Sequence, residues 1–379
     1  MRVVSHVIAF AALVSVFLGC KKDGYPVPPA STVPKFSYTL DNNGYAPATA
    51  VFANESIVPD NVGDAYYSWQ FGDGGTSAEA DPTHLYSAPG TYTVKLTIKT
   101  SVSQEIVSKT QEIQILSTDV SGIEVYFTDG SIVYKGYLND ATPVFSALPI
   151  GPFDDSYGMA IDTTNSKLYI SDAGAGKIYR YDLATGALIE FRTGLAGPDG
   201  LAIDFNTGKL YWDTDNGIQR TDLTTLTVSD KEDFVTGESN DPEGVSIDAV
   251  NNKLYWINYD GGLYSISLSG GSKTELVADA EGGSTLVVGG KVYFDYYVAS
   301  GDIYIKSANL DGSGVGTIST GNSRVVFGIG YESWSNKIYW GDRGAGKIKR
   351  ANLDGSGVET WYSKDGSSPR AIVFGKKKE

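Results

Sequence analysis

Six related segments recur from residue 119 onward, and their spacing restricts the fold more than any other feature of the sequence. Each has an aliphatic residue followed by tyrosine, and successive tyrosines lie 43, 42, 44, 38 and 46 residues apart. A repeat of this length holds a few short strands and cannot bury a core alone, so neighbouring repeats must stack. The sequence therefore predicts an array of small sheets over residues 119–375. The repeated tyrosines are Tyr126, Tyr169, Tyr211, Tyr255, Tyr293 and Tyr339.

A second element, Gly-x-Ala/Ser-Ile-Asp, stands before three of these segments, at residues 158–162, 200–204 and 244–248. Together the two elements resemble the YWTD β-propeller of the low-density-lipoprotein-receptor class B type, with NHL propellers as cousins. The resemblance implies six blades of four antiparallel strands, with the Ala-Ile-Asp segments innermost and the Tyr-Trp segments second. The motif aromatics are then expected to pack between blades, and the motif aspartates to cap turns and anchor hydrogen bonds between blades.

The two ends of the array predict how it closes. The first blade begins at its second strand, residues 123–129, and the polar segment before it cannot supply an innermost strand. One apolar strand, Ala371 to Phe374, is left over after the sixth blade. We therefore expect this strand to lie against Glu124–Thr128, which joins the ends and removes the open sheet edges. The tail after Gly375 is expected to lie in solvent.

Residues 35–117 have a different pattern, with short alternating strands separated by Gly, Pro and Asp turns, as in a β-sandwich. The segments Trp69 to Gly74 and Pro89 to Val94 closely resemble a PKD domain. In that family the domain is a spacer or an adhesion module, sometimes with bound calcium. Asp41 and Asp73 are candidate calcium ligands here, although turn chemistry explains both, and we expect no cofactor. His84 is expected to be structural. The predicted fold is all-β: a PKD (Ig-like) β-sandwich followed by a six-bladed β-propeller closed by the C-terminal strand.

The first residues have the pattern of an export signal. A short apolar run ends in Leu18-Gly19-Cys20, which resembles the lipobox of bacterial lipoproteins. The resemblance implies that residues 1–19 are a signal peptide, that Cys20 is the lipidation site, and that the Pro-rich residues 20–34 form a stalk. We therefore expect a lipid-anchored protein of a Gram-negative outer membrane or cell surface, whose membrane partner is lipid held through Cys20.

Composition excludes several function classes. The chain has 2 His and 1 Cys, which rules out an internal disulfide framework, a cysteine zinc site and a three-histidine metal site. The net charge of -15 argues against nucleic acid as a partner, because phosphate binding depends on clustered Lys and Arg. We assign no catalytic residue and no metal ligand from the sequence.

A ligand site is expected at the mouth of the propeller channel, where the loops leading into the innermost strands lie. One side of this mouth is predicted to be acidic, and the other to carry two arginines that could orient a polar ligand. The ordinary alternative is that these loops are simply polar. The candidate ligand-binding residues are Asp155, Tyr157, Asp199, Glu243, Arg324 and Arg370.

Three function classes remain open. The first is a cell-surface binding or adhesion protein, not an enzyme, in which a monomeric propeller holds a glycan or protein ligand and the PKD domain is a spacer. The second is a divalent-cation-dependent lactonase-type hydrolase, because Pro242-Glu243-Gly244 faintly resembles the ligand-bearing segment of gluconolactonase propellers. The third is a structural subunit of an outer-membrane complex. The fold alone does not choose among them.

Overall fold

The structure is a computed structural model that describes residues 31–117, 119–138 and 143–377. The predicted signal peptide, Cys20 and most of the predicted stalk lie outside the described residues. The chain divides into two compact units, one centred on an N-terminal sandwich and one on a ring of six sheets. No helix in the described ranges is long and apolar enough to cross a bilayer. The helices described are three short 3-10 turns, Asn42–Gly44, Asp60–Val62 and Arg343–Ala345.

The N-terminal unit is a sandwich of two antiparallel sheets. One sheet has the order β1-β2-β5 and the other the order β4-β3-β6-β7. The seven strands are β1 (Phe36–Leu40), β2 (Ala48–Asn54), β3 (Ala65–Gln70), β4 (Thr76–Ser77), β5 (Thr83–Tyr86), β6 (Gly90–Thr100) and β7 (Ile106–Ile115).

Aromatic side chains fill the core of the sandwich. Trp69 is fully buried, with its ring 5.0 Å from that of Phe36 and 5.2 Å from that of Phe52. His84 stacks on Phe71 at 4.1 Å, and its Nε2 lies 2.7 Å from an oxygen of Asp73. The other oxygen of Asp73 accepts a hydrogen bond from the amide of Gly75. His84 of β5 therefore holds Asp73 in the turn after β3, which agrees with a structural role for His84.

Six four-stranded antiparallel sheets follow, each in simple sequential order apart from the first. They form the blades of a propeller. Blade 1 contains β8 (Ile123–Thr128), β9 (Val133–Tyr137) and β10 (Phe145–Ala147); blade 2, β11 (Met159–Asp162), β12 (Lys167–Asp172), β13 (Lys177–Asp182) and β14 (Leu188–Thr193); blade 3, β15 (Leu201–Asp204), β16 (Lys209–Thr214), β17 (Gly217–Asp222) and β18 (Glu232–Thr236); blade 4, β19 (Pro242–Asp248), β20 (Lys253–Asn258), β21 (Leu263–Ser267) and β22 (Thr274–Val277); blade 5, β23 (Thr285–Val288), β24 (Lys291–Tyr297), β25 (Ile303–Asn309) and β26 (Gly316–Asn322); and blade 6, β27 (Ile329–Glu332), β28 (Lys337–Asp342), β29 (Lys347–Asn352) and β30 (Glu359–Ser363).

The C-terminal strand completes blade 1, as the sequence predicted. Strand β31 (Ile372–Lys377) pairs antiparallel with β8, so that Ile372 lies opposite Phe127 and Phe374 opposite Val125. The strand is longer than expected, because Lys377 also pairs with β8. Its Nζ lies 3.2 Å from a carboxylate oxygen of Asp119, which holds the end of the strand against the start of the ring.

The repeated tyrosines are buried between blades, which explains their spacing. All six are at most 2% exposed. Tyr211 of blade 3, for example, packs in one cluster with Val245 and Trp256 of blade 4. Large rings that fill the wedge between neighbouring sheets supply most of the apolar burial, so each motif stabilises two blades at once.

The repeated glycines stand where the innermost strands approach each other most closely. A Cβ atom on Gly200 would lie 2.7 Å from the Cα atom of Gly244, and one on Gly158 would lie 1.9 Å from the carbonyl oxygen of Asp199. Real side chains do not tolerate such distances. Glycine directly before or at the start of the innermost strands of blades 2, 3 and 4 therefore lets these strands converge around a narrow channel.

Candidate functional site

The innermost strands enclose a central cavity of about 310 Å³. Gly158, Gly200, Gly244 and Ala371 line it. Four of the candidate residues directly precede a lining residue, because three stand in the loop before an innermost strand and Glu243 stands at the start of one, β19. The ring therefore places Tyr157, Asp199, Glu243 and Arg370 at one end of the channel, which we call the mouth.

Arg370, Tyr157 and Asp155 are in direct contact at the mouth. The guanidinium of Arg370 lies 4.0 Å from the ring centroid of Tyr157, and its Nη1 donates hydrogen bonds to Asp155 at 2.5 Å and to the carbonyl of Ser156 at 3.0 Å. The hydroxyl of Tyr157 donates to Asp155 at 2.9 Å. Burial, together with this hydrogen bond to a carboxylate, raises the pKa of Tyr157. The contact follows from ring closure, since Arg370 precedes β31 of blade 1 and Asp155 precedes β11 of blade 2.

A second arginine continues this contact. The guanidinium of Arg343 lies 4.4 Å from the ring of Phe327, and Phe327 packs edge-on against Tyr157 at 4.5 Å. Burial, followed by the charges of Arg370 and Arg324, lowers the pKa of Arg343 to about 10. The Nε atoms of Arg343 and Arg370 are both buried without a hydrogen-bond partner among the described residues. We call Arg370, Tyr157, Phe327 and Arg343 the arginine array.

A group of three carboxylates lies elsewhere around the same mouth. Asp199, Asp213 and Glu243 each offer one oxygen, and these oxygens all lie within 4.8 Å of one another. Asp213 is 0% exposed and Glu243 is 6% exposed. Within the described ranges, Asp199 Oδ1, Asp213 Oδ2 and Glu243 Oε2 are buried and accept no hydrogen bond. We call these three residues the carboxylate cluster.

Burial and mutual repulsion shift the pKa of every member of the carboxylate cluster in the same direction. Burial, followed by the charge of Asp241, raises the pKa of Asp199 to about 7. Burial, followed by the charge of Asp199, raises the pKa of both Asp213 and Glu243 well above its usual range. Three acids that repel each other away from water are a high-energy arrangement unless protons or a cation compensate them.

Irregular backbone positions Glu243 in this cluster. A bulge interrupts the pairing of β19 with β20 between Glu243 and Val245, and the extra residue, Gly244, has a φ of 38°. Asp241, two residues before Glu243, has a φ of 54°, which is uncommon for a residue other than glycine. Such bulges redirect a side chain and occur frequently beside functional sites.

The structure thus places five of the six predicted ligand-binding residues in two groups and leaves Arg324 apart from both. Asp155, Tyr157 and Arg370 lie together, while Asp199 and Glu243 lie together in the carboxylate cluster. Arg324 is exposed and is close enough to Arg343 to affect its pKa. The expected separation into an acidic side and an arginine side is wrong for Arg370, because ring closure pairs it with Asp155.

Sequence reasoning missed two members of the mouth. As a motif aspartate, Asp213 is expected from the sequence only to cap a turn or to anchor neighbouring blades, and Arg343 is not among the candidate residues. The sequence does contain a signal for Asp213. It stands directly after Tyr-Trp, at the position where the next repeat has the apolar residue Ile257. For Arg343 the sequence offers no comparable signal. The predicted lipidation site, Cys20, lies outside the described part of the chain.

Comparisons with known proteins support both folds. The family model of the PKD domain matches residues 32–115. Collagenase ColA of Bacillus cereus is 56% identical over 60 residues, which is 16% of this chain and 6% of that protein. A microbial collagenase of Vibrio alginolyticus is 27% identical over 154 residues, which is 37% of this chain and 19% of that protein. The chain therefore spans only a small part of these curated relatives.

Solved structures resemble the chain over a larger share of its length. A nidogen/laminin complex contains a chain that aligns with a TM-score of 0.58 and 15% identity, over 68% of this chain and 100% of that one. TolB from Acinetobacter baumannii aligns with a TM-score of 0.56 and 12% identity, over 76% of this chain and 80% of that one. At these identities the likeness extends to the fold alone. The chain is an all-β protein with a PKD domain followed by a six-bladed β-propeller.

Proposed function

We propose that this chain, a PKD domain followed by a six-bladed propeller, is a lipid-anchored cell-surface binding protein. Its propeller captures a glycan or protein ligand that presents an anionic group, and its PKD domain is a spacer. A sandwich followed by a propeller suits a binding or adhesion module, since neither fold by itself carries chemistry.

One observation carries the proposal: the arginine array combines two cations, each lying over an aromatic ring, with two buried donors that have no acceptor among the described residues. A buried N–H without an acceptor is unfavourable, so Nε of Arg343 and Nε of Arg370 favour a ligand that brings an oxygen. Stacking and the bond to Asp155 fix the Arg370 guanidinium in advance, which lowers the entropy lost on binding. Carboxylates match the planar guanidinium best.

The test is a binding screen on the chain from residue 31 onward. Uronic-acid oligosaccharides and acidic peptides are compared with neutral counterparts of equal length. Arg343→Gln with Arg370→Gln is expected to weaken capture of the acidic probes about ten- to hundredfold, as loss of charge-assisted hydrogen bonds does. Arg180→Gln is the matched control, because Arg180 also lies over an aromatic ring, Phe191, but in the body of blade 2. Equal affinity of acidic and neutral probes would contradict the proposal.

The anchor is tested separately at Cys20. Cys20→Ser is expected to abolish lipid labelling and to release the protein from the membrane fraction, because the thiol is the only one in the chain. Unchanged labelling would exclude this anchor. The released protein is expected to sediment as a monomer, whereas co-purification with a membrane complex would favour the structural alternative.

The proposal makes the chain a binding protein and not an enzyme. We therefore expect no turnover of lactones or esters by the purified protein, with or without added divalent cations. Hydrolysis that requires a cation and disappears in Glu243→Gln would favour the lactonase-type alternative instead.

A further inference from the structure

We propose that Asp199, Asp213 and Glu243 bind one divalent cation, calcium, at the channel mouth. The inference does not depend on which ligand the arginine array binds. It starts from the three oxygens of the carboxylate cluster that are buried and accept no hydrogen bond within the described part of the chain. Two of them belong to side chains that are more than nine-tenths buried, Asp213 and Glu243, and all three residues converge within 4.8 Å.

The equivalent residue of blade 5 shows what a satisfied carboxylate looks like at this position. Asp295 follows Tyr-Phe as Asp213 follows Tyr-Trp, and both are 0% exposed. One oxygen of Asp295 accepts hydrogen bonds from the amides of Gly283 and Ser284, each at 2.9 Å, and the other accepts one from Val326 at 3.0 Å. Both of its oxygens are therefore used by the backbone.

Asp213 does only half of this. Its Oδ1 accepts a hydrogen bond from the amide of Gly200 at 2.7 Å, which supports the start of β15. Its Oδ2 accepts none from the described residues. In blade 2 the same position is Ser171, whose hydroxyl bonds the equivalent amide, that of Gly158. A single hydroxyl is thus sufficient to accept the amide at the start of the innermost strand. The second oxygen of Asp213 is not needed for that hydrogen bond.

The spacing and the donor type fit calcium. Calcium binds oxygen at about 2.3–2.6 Å, so two of its ligands can stand up to about 4.6–5.2 Å apart. The oxygens of the carboxylate cluster lie at most 4.8 Å from one another, which this upper limit allows. All three donors are carboxylates, which calcium prefers. Asp199 and Glu243 directly precede Gly200 and Gly244, which line the central cavity, so the cluster lies beside the channel. A divalent cation would also neutralise most of the charge that the three acids carry together.

The competing explanation is that the cluster holds protons instead of a cation. Glu243 acts against the effect of burial on the pKa of Asp199, as a carboxyl that shares a proton with its neighbour would. One proton shared between Asp199 and Glu243 would still leave Oδ2 of Asp213 without a partner among the described residues. Titration with calcium distinguishes the two explanations directly, because only the cation site saturates at one ion per chain.

The experiment is calorimetric titration of the chelator-treated full chain with calcium chloride at pH 7.5. We expect saturation at one calcium per chain, and an affinity at least tenfold weaker in Glu243→Gln and in Asp199→Asn. Asp172→Asn is the matched control and should bind calcium as the wild type does, because both oxygens of Asp172 accept backbone amides and Asp172 is not a member of the cluster. Asp295 is not used as a control, because its charge acts on Glu243. Tryptophan fluorescence verifies that each variant is folded.

Two results would overturn the inference. The first is the absence of saturable calcium binding up to about 10 mM, well above the dissociation constants of extracellular calcium modules. The second is binding whose affinity is the same in wild type, Glu243→Gln and Asp199→Asn. Calcium binding that weakens as much in folded Asp172→Asn as in the two cluster variants would count as this second result, because Asp172 is not a member of the cluster.

Discussion

Replacing Ile372 by alanine tests whether the last strand holds the entire ring together. Ile372 is 3% exposed in β31 and packs in one cluster with Val125 and Phe127 of blade 1 and with Tyr339 of blade 6. The substitution removes three carbon atoms, each worth about 0.8 kcal/mol of burial, and leaves a cavity between two blades. We expect the free energy of unfolding to fall by about 3 kcal/mol, within the usual range of about 2–5 kcal/mol for such changes.

The assay is urea unfolding followed by tryptophan fluorescence, which reports mainly on the propeller because Trp69 alone belongs to the sandwich. The loss should appear as a shift of the whole propeller transition, not as early melting of one blade. Val250→Ala is the control, since Val250 is 93% exposed and should change stability by less than about 0.5 kcal/mol. Closure of the ring by β31 would be contradicted if Ile372→Ala behaves like this control, or if a chain ending at Pro369 unfolds with the wild-type midpoint. The other propeller tryptophans are Trp212, Trp256, Trp334, Trp340 and Trp361.

Two further predictions concern single positions. Gly200→Ala should lower the free energy of unfolding by about 1–3 kcal/mol, measured as a lower thermal unfolding temperature, because its Cβ would lie 2.7 Å from the Cα of Gly244. Gly316→Ala is the control and should be nearly neutral, because no atom of the described residues lies within 4 Å of its Cβ. Asp182→Asn should destabilise the protein at pH 7 and progressively less below pH 4. The hydrogen bond from Lys167 lowers the pKa of Asp182 in the folded state. The ionised carboxylate therefore stabilises the fold above the pKa that Asp182 has in the unfolded chain, and this stabilisation is lost as the pH falls toward the folded-state pKa. Urea midpoints measured from pH 2.5 to pH 7 in both proteins check the sign, and a constant difference would contradict it.

The sequence was sufficient for the architecture because the repeat encodes burial directly. A tyrosine at a fixed place in every blade fills the same space between neighbouring sheets, so the number of repeated tyrosines predicts the number of blades. Closure by β31 was predictable because an apolar strand without a partner and a blade without an inner strand must meet. The end of β31 was not, since Lys377 pairs through its backbone while its side chain is polar. Hydropathy carries no information about such a pairing.

The candidate site was predictable in position and not in its contacts. Loops before innermost strands had to meet at the mouth, which placed Tyr157 and Arg370 there. Whether the second oxygen of Asp213 has a partner depends on loops from other blades, as the contrast with Asp295 demonstrates. The aromatic support of Arg343 likewise comes from Phe327, which lies in a different loop. Both are non-local facts that one repeat cannot encode.

The pairing of β31 with β8 also has a consequence for how the protein is made. Ile372 and Phe127 are neighbours in one sheet, although they lie 245 positions apart in the sequence. Blade 1 must therefore remain incomplete while the ribosome adds blades 2 to 6, and the edge of β8 stays open for pairing until β31 has been made. Loop length itself adds little to this barrier, since each doubling costs about 0.6 kcal/mol. Closure is therefore late, and β31 decides whether the chain closes its own ring or leaves the edge of β8 to the corresponding strand of another copy.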